Sequence, residues 1–545
     1  MLALSPAPGT PDASPQTQIS ILGTRPALIR GVDARGDASG EHAGRLRAYS
    51  GDRGASFLPD APFAAGERVH VTLRLRGRSP RSWTFTVATA GRVPPILTIR
   101  ATQPDKLQHF VSEPALLAPQ VSVNRHGAAG SGSIFLTPLP SPVVHPESDN
   151  AITISPVGPG GPMIIDGRGR LVWFKQLEPP DVAANLRVQR YLGRRVLTWW
   201  QGPVTAAAYG LGAAVIADSS YRTLKTVRAG NGYAMDIHEF TLTGGDALFT
   251  IYKPVVHNGT ALLDAIVQQV DVRTGLVVWE WHSLGHIPLS KSYATAANSA
   301  FFDAFHINSI QALPKDRVLI SARDTSAIYA IRRAGGRVLW TLGGKAGDFR
   351  LGPGARFWFQ HDAQLHGNRV SMFDDQAGPP QKAPSSRALV LKLDLRRRRA
   401  TVARSLQRAQ DTSAQSEGSN QLLSNGDRFA GFGAQPWFTQ FSPKGRVVFD
   451  ARLPLDDGSY RAYRFGWRGT PVTRPVAVVQ DGAVYASWNG ATDVARWQVL
   501  AGGRPIASGA RTGFETRVAL SAGATAGAVR ALDAKGRVLA PVAPR

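Results

Sequence analysis

The chain has 545 residues, 43% hydrophobic and 19% charged, a globular composition too long for a single hydrophobic core, so two to four domains are expected. Its net charge of +24 comes mostly from Arg scattered one or two at a time. That pattern argues against a nucleic-acid partner and leaves anionic envelope polymers or anionic substrates as what the charge would attract. There is no cysteine, which excludes disulfides, thiolate catalysis and Cys-ligated metals.

Residues 1–20 are rich in Pro, Ser and Thr and read as a disordered leader. The opening Met1-Leu2-Ala3-Leu4-Ser5-Pro6 lacks a basic n-region and a full apolar core, so it is not a complete signal peptide. Residues 21–118 carry short alternating segments, among them Val69–Leu75 and Trp83–Val87, separated by turn residues as in a small β-sandwich.

Between 119 and 470 a phrase recurs. Gly169-Arg170-Leu171-Val172-Trp173 returns as Gly275-Leu276-Val277-Val278-Trp279, as Gly336-Arg337-Val338-Leu339-Trp340 and, more weakly, as Gly445-Arg446-Val447-Val448-Phe449. Each copy is a turn glycine followed by a strand ending in an aromatic. An irregular repeat of four-stranded units predicts a β-propeller, most simply six-bladed, with a large β-sandwich as the alternative. The only dense basic run, Arg396-Arg397-Arg398-Arg399, follows the strand-like Leu389–Leu393 and reads as a solvated turn. Residues 471–545 hold further short strands, few acidic residues and no His, consistent with an accessory fibronectin-III-like β-sandwich. The expected fold class is therefore all-β, a six-bladed propeller flanked by N- and C-terminal sandwiches. No run of about 18 apolar residues is present, so no transmembrane helix is expected.

Within the central region three histidines stand in polar, sharply punctuated surroundings: Asp236-Ile237-His238-Glu239, Phe305-His306-Ile307-Asn308 and Phe359-Gln360-His361-Asp362. Arg323 lies between the last two. His306 and Asn308 are two apart, as are Asp236 and His238, which on a strand places each pair on one face. Arg323 follows Val318-Leu319-Ile320-Ser321 and fits the inner end of a strand. His42, His109, His126 and His145 read as turn or surface residues. Neutral imidazole serves as nucleophile, base or metal ligand. No HExxH or HxH motif is present, and an Arg beside the site would repel a cation, so no metal or other cofactor is expected. Three imidazoles, an amide and a guanidinium suit transfer of an anionic tetrahedral group. Trp358 and Phe359, with Phe357 and Trp199 or Trp200, are candidates to hold an aromatic ring, or else pack between strands.

Several of these segments stand in an order that resembles the arylsulfotransferase family, in its actinobacterial and fungal branch: Phe305-His306-Ile307-Asn308-Ser309-Ile310, Leu319-Ile320-Ser321-Ala322-Arg323, Trp340-Thr341-Leu342-Gly343-Gly344-Lys345, Phe359-Gln360-His361-Asp362-Ala363 and Met372-Phe373-Asp374. The resemblance spans roughly residues 150 to 450. It implies sulfuryl transfer from an aryl sulfate ester to a phenolic acceptor without a nucleotide donor. It implies His361 as the nucleophile that becomes sulfohistidine, with His306, Asn308, Arg323 and His238 around the sulfuryl oxygens. Either His238 or His306 would handle the phenol proton. It also implies an extracellular or cell-envelope location. A propeller that binds sulfated or glycan ligands without turnover is the alternative, and a metal-assisted hydrolase is a third.

Overall fold

The computed structural model describes residues 2–97, 103–127, 132–140, 143–144, 152–153, 157–295, 301–378 and 380–545. The described chain is all-β, with short 3-10 turns and no α-helix. His145 lies outside the described residues.

The centre holds six sheets, antiparallel except for the short strand Arg350–Leu351, which pairs in parallel at the edge of the fourth. The first comprises Val182–Tyr191, Arg194–Gly202, Ala213–Ala217 and Thr223–Val227. The second comprises Phe240–Thr243, Asp246–His257, Thr260–Asp271 and Val277–His282, and the third Ile307–Leu313, Arg317–Ala322, Ala327–Arg332 and Val338–Gly343. The fourth begins with His361–His366, Arg369–Asp374, Arg387–Asp394 and Arg399–Leu406, and the fifth with Ser419–Leu422, Arg428–Gly431, Trp437–Phe441 and Val447–Arg452. The sixth is drawn from both ends of the region: Tyr463–Phe465 pairs with Ser133–Leu136, which continues to Met163–Ile165 and Leu171–Phe174.

Each sheet packs face to face on the next. Trp200 and Phe249 sit in the cluster joining the first and second sheets, and Trp279 and Ile310 in that joining the second and third. Trp340 and Leu389 join the third to the fourth, Phe373 and Phe441 the fourth to the fifth, Phe438 and Ile134 the fifth to the sixth. Trp173 and Trp199 join the sixth back to the first. This two-sided cover explains why a strand such as Thr260–Asp271 is buried over almost its whole length instead of alternating. The recurring phrase has a consistent place. Its four copies open Leu171–Phe174, Val277–His282, Val338–Gly343 and Val447–Arg452, each the fourth strand counted from the first strand of its sheet. The aromatic that ends the phrase is an inter-sheet packing residue in every case.

The first strand of each sheet contacts the first strand of the next, and the sixth contacts the first. Glutamines couple alternate pairs along this ring. Gln189 accepts from the Leu242 N–H at 2.9 Å, Gln311 from Leu365 at 2.7 Å and Gln421 from Arg464 at 2.7 Å. A cavity of about 550 Å³ opens between the first strands at this level, lined among others by Gln189, Gln311, Gln364 and Gln421.

Before the six sheets, Ala3–Ser5, Ile19–Leu22, Gly54–Pro59 and Gly44–Ala48 form one four-stranded sheet, and Gly40–Glu41, Ile29–Gly36, Arg68–Leu75 and Arg81–Thr86 another, around a shared core that includes Ile21, Val71 and Phe85. Residues expected to form a disordered leader are therefore part of a sheet: Ala3 to Ser5 pair with Ser20 to Leu22. The prolines do not prevent this, because the intervening loop buries Ala13, Ser14 and Thr17 against the rest of the protein. After the six sheets, Val476–Gln480, Ala483–Ser487 and Glu515–Ala519 form a three-stranded sheet and Arg496–Ala501, Arg504–Ala510, Ala528–Leu532 and Val538–Val542 a four-stranded one, around Trp497 and Val484. Val69, Val71 and Leu73 are buried and alternate with exposed or half-buried neighbours, which fits a sheet with one face in solvent.

Candidate active site

The site residues gather where the first strands begin. His238 lies two residues before Phe240–Thr243, His306 immediately before Ile307–Leu313, and His361 is the first residue of His361–His366. In an antiparallel pair the end of the second strand lies beside the start of the first. Arg323 accordingly follows the second strand of the third sheet and Asp375 that of the fourth. Residues remote in sequence thus meet at one end of the ring. The His238 and His306 rings are 4.9 Å apart and perpendicular. His361 sits in the electrostatic field of Arg323, His306 and His238.

The expectation that His306 and Asn308 share a strand face is not met. His306 is outside the strand, with φ of +53°, and the pairing register shifts between Ile307 and Ser309. Local hydrogen bonds support that left-handed turn: Asp303 accepts the His306 N–H at 3.1 Å and lies 2.6 Å from Nδ1. Asp236 and His238 do meet, but through a bend. Asp236 Oδ2 accepts the His238 N–H at 2.9 Å and lies 2.6 Å from Nδ1. Thr250 donates to the same oxygen at 2.9 Å.

His361 is 1% exposed, and its Nδ1 lies 2.8 Å from Asp375 Oδ2. The Glu417 N–H reaches Nε2 at 3.2 Å, so Nε2 is the acceptor and the ring proton sits on Nδ1 facing Asp375. Burial, reinforced by Arg323, His306 and His238, holds the His361 pKa well below that of an ordinary imidazole. His306 goes the other way. Burial alone would depress it, but Asp303 and then Asp324 overcome burial and raise its pKa. The site therefore pairs a neutral imidazole with one disposed to carry a proton.

Arg323 donates to Asp324 at 2.7 Å and to the Gln415 carbonyl at 3.2 Å, and its guanidinium lies 5.1 Å from the centre of the Phe359 ring. Asn308 is fully buried. Its amide N–H donates to the Gln360 carbonyl at 2.7 Å, while its side-chain oxygen has no partner. Asn308 therefore holds the segment that carries His361. Phe359 is buried with φ of +56°, whereas Trp358 is half-buried, 5.0 Å from the Tyr293 ring and beneath Lys382 at 4.7 Å. Trp199 and Trp200 take the packing role, in clusters on either side of the first sheet.

Residues outside the sequence-derived set complete the site. Asp303, Asp324 and Asp375 orient or charge the histidines and arginine, and Glu417 approaches from the fifth sheet with φ of +71°. Gly418 lets it approach: its φ is +103°, and a Cβ there would lie 2.4 Å from the Phe373 ring. Burial lifts the Glu417 carboxyl to about 8. Beneath the histidines Arg461, fully buried, donates to Glu239 at 3.0 Å and to the backbone carbonyl of Asn308 at 2.7 Å. Arg187 binds the other oxygen of Glu239. The Asp236-Ile237-His238-Glu239 pattern pointed to Asp236 and Glu239. Nothing in local sequence pointed to Glu417 or Arg461.

Asp303, His306 and Asp324 also present ligand atoms within 4.8 Å of one another, the donor set a metal-assisted reaction would require. Arg323 occupies one Asp324 oxygen at 2.7 Å, and a cation there would face that fixed positive charge.

Residues 187–453 match the family model described as Arylsulfotransferase (ASST). The match points to aryl sulfotransferase activity, with an aryl sulfate donor and a phenol acceptor. It runs from within the first strand of the first central sheet to the end of Val447–Arg452 in the fifth and includes His238, His306, Arg323 and His361. No curated protein matches the chain. Among solved structures, a protein of unknown function from Bacteroides caccae shares 13% identity over 62% of this chain and 99% of its own, with a TM-score of 0.36. Kluyveromyces lactis Hsv2 shares 11% over 58% of this chain and 85% of its own, with a TM-score of 0.27. At such scores the likeness does not specify a fold.

Proposed function

We propose that the protein is an aryl-sulfate sulfotransferase working through a sulfohistidine on His361. The observation that carries this reading is the contrast between His361, held neutral with its proton on Nδ1, and His306, held toward its protonated form beside it. In the first step Nε2 of His361 attacks sulfur and the S–O bond to the aryl group breaks. The leaving phenolate takes a proton from His306, and the Asp375 carboxyl, which burial holds toward its neutral form, keeps the His361 ring oriented through Nδ1. In the second step an acceptor phenol attacks the sulfohistidine, gives its proton back to His306, and His361 is released. Arg323 and His238 face the sulfuryl oxygens, where donors aimed at developing charge contribute on the order of 3 kcal/mol each. The Glu417 N–H must leave Nε2 before attack, so the reading requires the 415–418 segment to open when the ester enters.

The fold reading that goes with it is a six-bladed propeller, supported by the ring of first strands and the six inter-sheet clusters, with a sandwich at either end supported by the two shared cores. We place it in the envelope or outside the cell, in keeping with the family resemblance. The test is incubation with 4-nitrophenyl sulfate and a second phenol, following nitrophenolate release and the sulfated product. His361→Ala is expected to lower both by about 1000-fold or more. Wild-type-like turnover in that variant would remove His361 as the nucleophile. The rival reading, a propeller that binds sulfated or glycan ligands without turnover, is favoured by one observation: the Nε2 lone pair is already engaged by Glu417. Sulfated ligand recovered intact at every phenol concentration would decide for it.

A further inference from the structure

A second polar cluster is buried away from the histidine site, where the N-terminal segment crosses the second sheet. Asp12 from that segment meets Asp264 and His282 from the third and fourth strands of the sheet, and all three are buried. Nδ1 of His282 lies 2.7 Å from Asp264 Oδ2 and 3.3 Å from Asp12 Oδ1. On the other side of the ring, Nε2 lies 3.0 Å from Glu280 Oε1.

The remaining oxygens around this imidazole are used, except those of Asp12. The second Asp264 oxygen accepts from the Ser283 hydroxyl at 2.9 Å and the Leu284 N–H at 3.2 Å. The second Glu280 oxygen accepts from Asn231 at 2.9 Å and Gln268 at 2.6 Å. Asp12 is 3% exposed; its Oδ1 faces the His282 ring at 3.3 Å, but neither of its carboxylate oxygens has a hydrogen bond of good geometry. The Tyr233 hydroxyl, buried and also unpartnered, lies in the field of the same carboxylates. A buried carboxylate held only by one long contact to a ring nitrogen is costly, typically by several kcal/mol, so a further partner is expected.

A single proton on Nδ1 serves Asp264 at 2.7 Å well and Asp12 at 3.3 Å poorly. A cation serves both. With Nε2–H donated to Glu280, the Nδ1 lone pair faces the two aspartates, the arrangement in which a carboxylate fixes the tautomer of a metal-binding histidine. One ligand atom from each of Asp12, Asp264 and His282 lies within 4.8 Å of the others. We propose that Asp12, Asp264 and His282 bind one divalent transition-metal cation, such as zinc or manganese, which ties the N-terminal segment to the second sheet. Two carboxylates and an imidazole suit those ions better than magnesium or calcium, which favour all-oxygen sets. No step of the sulfuryl transfer passes through this site, so the proposal stands or falls separately.

The test uses the full-length protein, stripped with a chelator and then titrated with Zn²⁺ and with Mn²⁺ by calorimetry, with elemental analysis after dialysis. One ion per chain and a rise in Tm with added metal are expected, because a ligand bound only by the folded state stabilises it. Asp12→Asn preserves shape and is expected to abolish or weaken binding at least tenfold. Asp303→Asn, at the other candidate group of ligands, is expected to leave the stoichiometry unchanged. The proposal is overturned if neither ion binds the wild type stoichiometrically, if Asp12→Asn binds as the wild type does, or if only Asp303→Asn loses the ion. If Asp12→Asn fails to fold, a metal-independent wild-type Tm is the overturning result.

Discussion

At the scale of single residues, the site works by setting neighbouring groups apart in charge. His361 is neutral because it is buried among positive groups, and His306 is disposed to protonation because Asp303 and Asp324 face it. Glu417 is the least expected member. Its carboxyl titrates near 8 in the folded protein, against about 4.3 in an unfolded chain. The folded state thus holds a proton that the unfolded state gives up, and stability falls as pH rises from about 4.5 to about 8. Glu417→Gln removes that loss. Its Tm is expected to lie near that of the wild type at pH 5 and exceed it by pH 8, with a gain of about 3–4 kcal/mol, read by calorimetric melts across that range. Equal Tm differences at both pH values would mean that Glu417 is not held neutral.

At the scale of strands and sheets, the structure solves one problem repeatedly: how to bring side chains from separate sheets to one place. The start of each first strand supplies them, and left-handed residues such as Asn185, His306, Phe359, Asp362 and Glu417 turn the chain there. Arg461 holds the layer below. It ties the second sheet through Glu239 and the third through Asn308, and it lies 3.8 Å from Asp362 of the fourth. Burial raises the Asp362 pKa even though Arg461 pulls it down, so loss of the arginine removes the strongest compensation that carboxyl has. Arg461→Met is expected to destabilise the protein by about 3–5 kcal/mol, measured by denaturant unfolding. Pairing it with Glu239→Gln should cost less than the two single losses combined, and simple additivity would mean the two side chains do not act together.

The paired motifs that were legible beforehand belong to this same scale. The recurring glycine-to-aromatic phrase marked the fourth-position strands, because outer packing depends on local strand pattern. The spacing of His306 and Asn308 misled, because parity holds only inside a regular strand and His306 lies just before one. Asp375 was one residue beyond the Met372-Phe373-Asp374 segment. Asp374 itself is used elsewhere, accepting from the Trp358 N–H at 2.8 Å and from Arg387 at 2.8 Å.

At the scale of the molecule, the two end units are bound to the central sheets and not merely strung beside them. Ser20 and Tyr49 donate to the Val277 carbonyl at 2.6 and 2.9 Å, and Arg53 binds Asp246. At the other end Asn489 exchanges hydrogen bonds with the Phe174 backbone at 3.1 and 2.9 Å, and Tyr221, stacked on Trp173, donates to the Gly490 carbonyl at 2.8 Å. Asn489→Ala removes both bonds to the edge of the sixth sheet. It is expected to cost about 1–3 kcal/mol and to lower the Tm of the whole chain, read by calorimetry. A transition confined to the C-terminal unit, with the remainder melting as in the wild type, would show that the units are uncoupled.

The residues alone determined the all-β class, the repeated strand unit, the polar histidine and arginine segments and their likeness to the arylsulfotransferases, because periodicity, turn residues and short motifs are properties of local sequence. Only the tertiary structure decided which groups meet. The sixth sheet closes with strands more than three hundred residues apart in the chain, Glu417 and Arg461 reach the histidines from other sheets, and Asp12 crosses from the N-terminal segment to His282. Such contacts are set by how sheets pack on one another, and the tautomers and charges that depend on them follow from burial that no local pattern records.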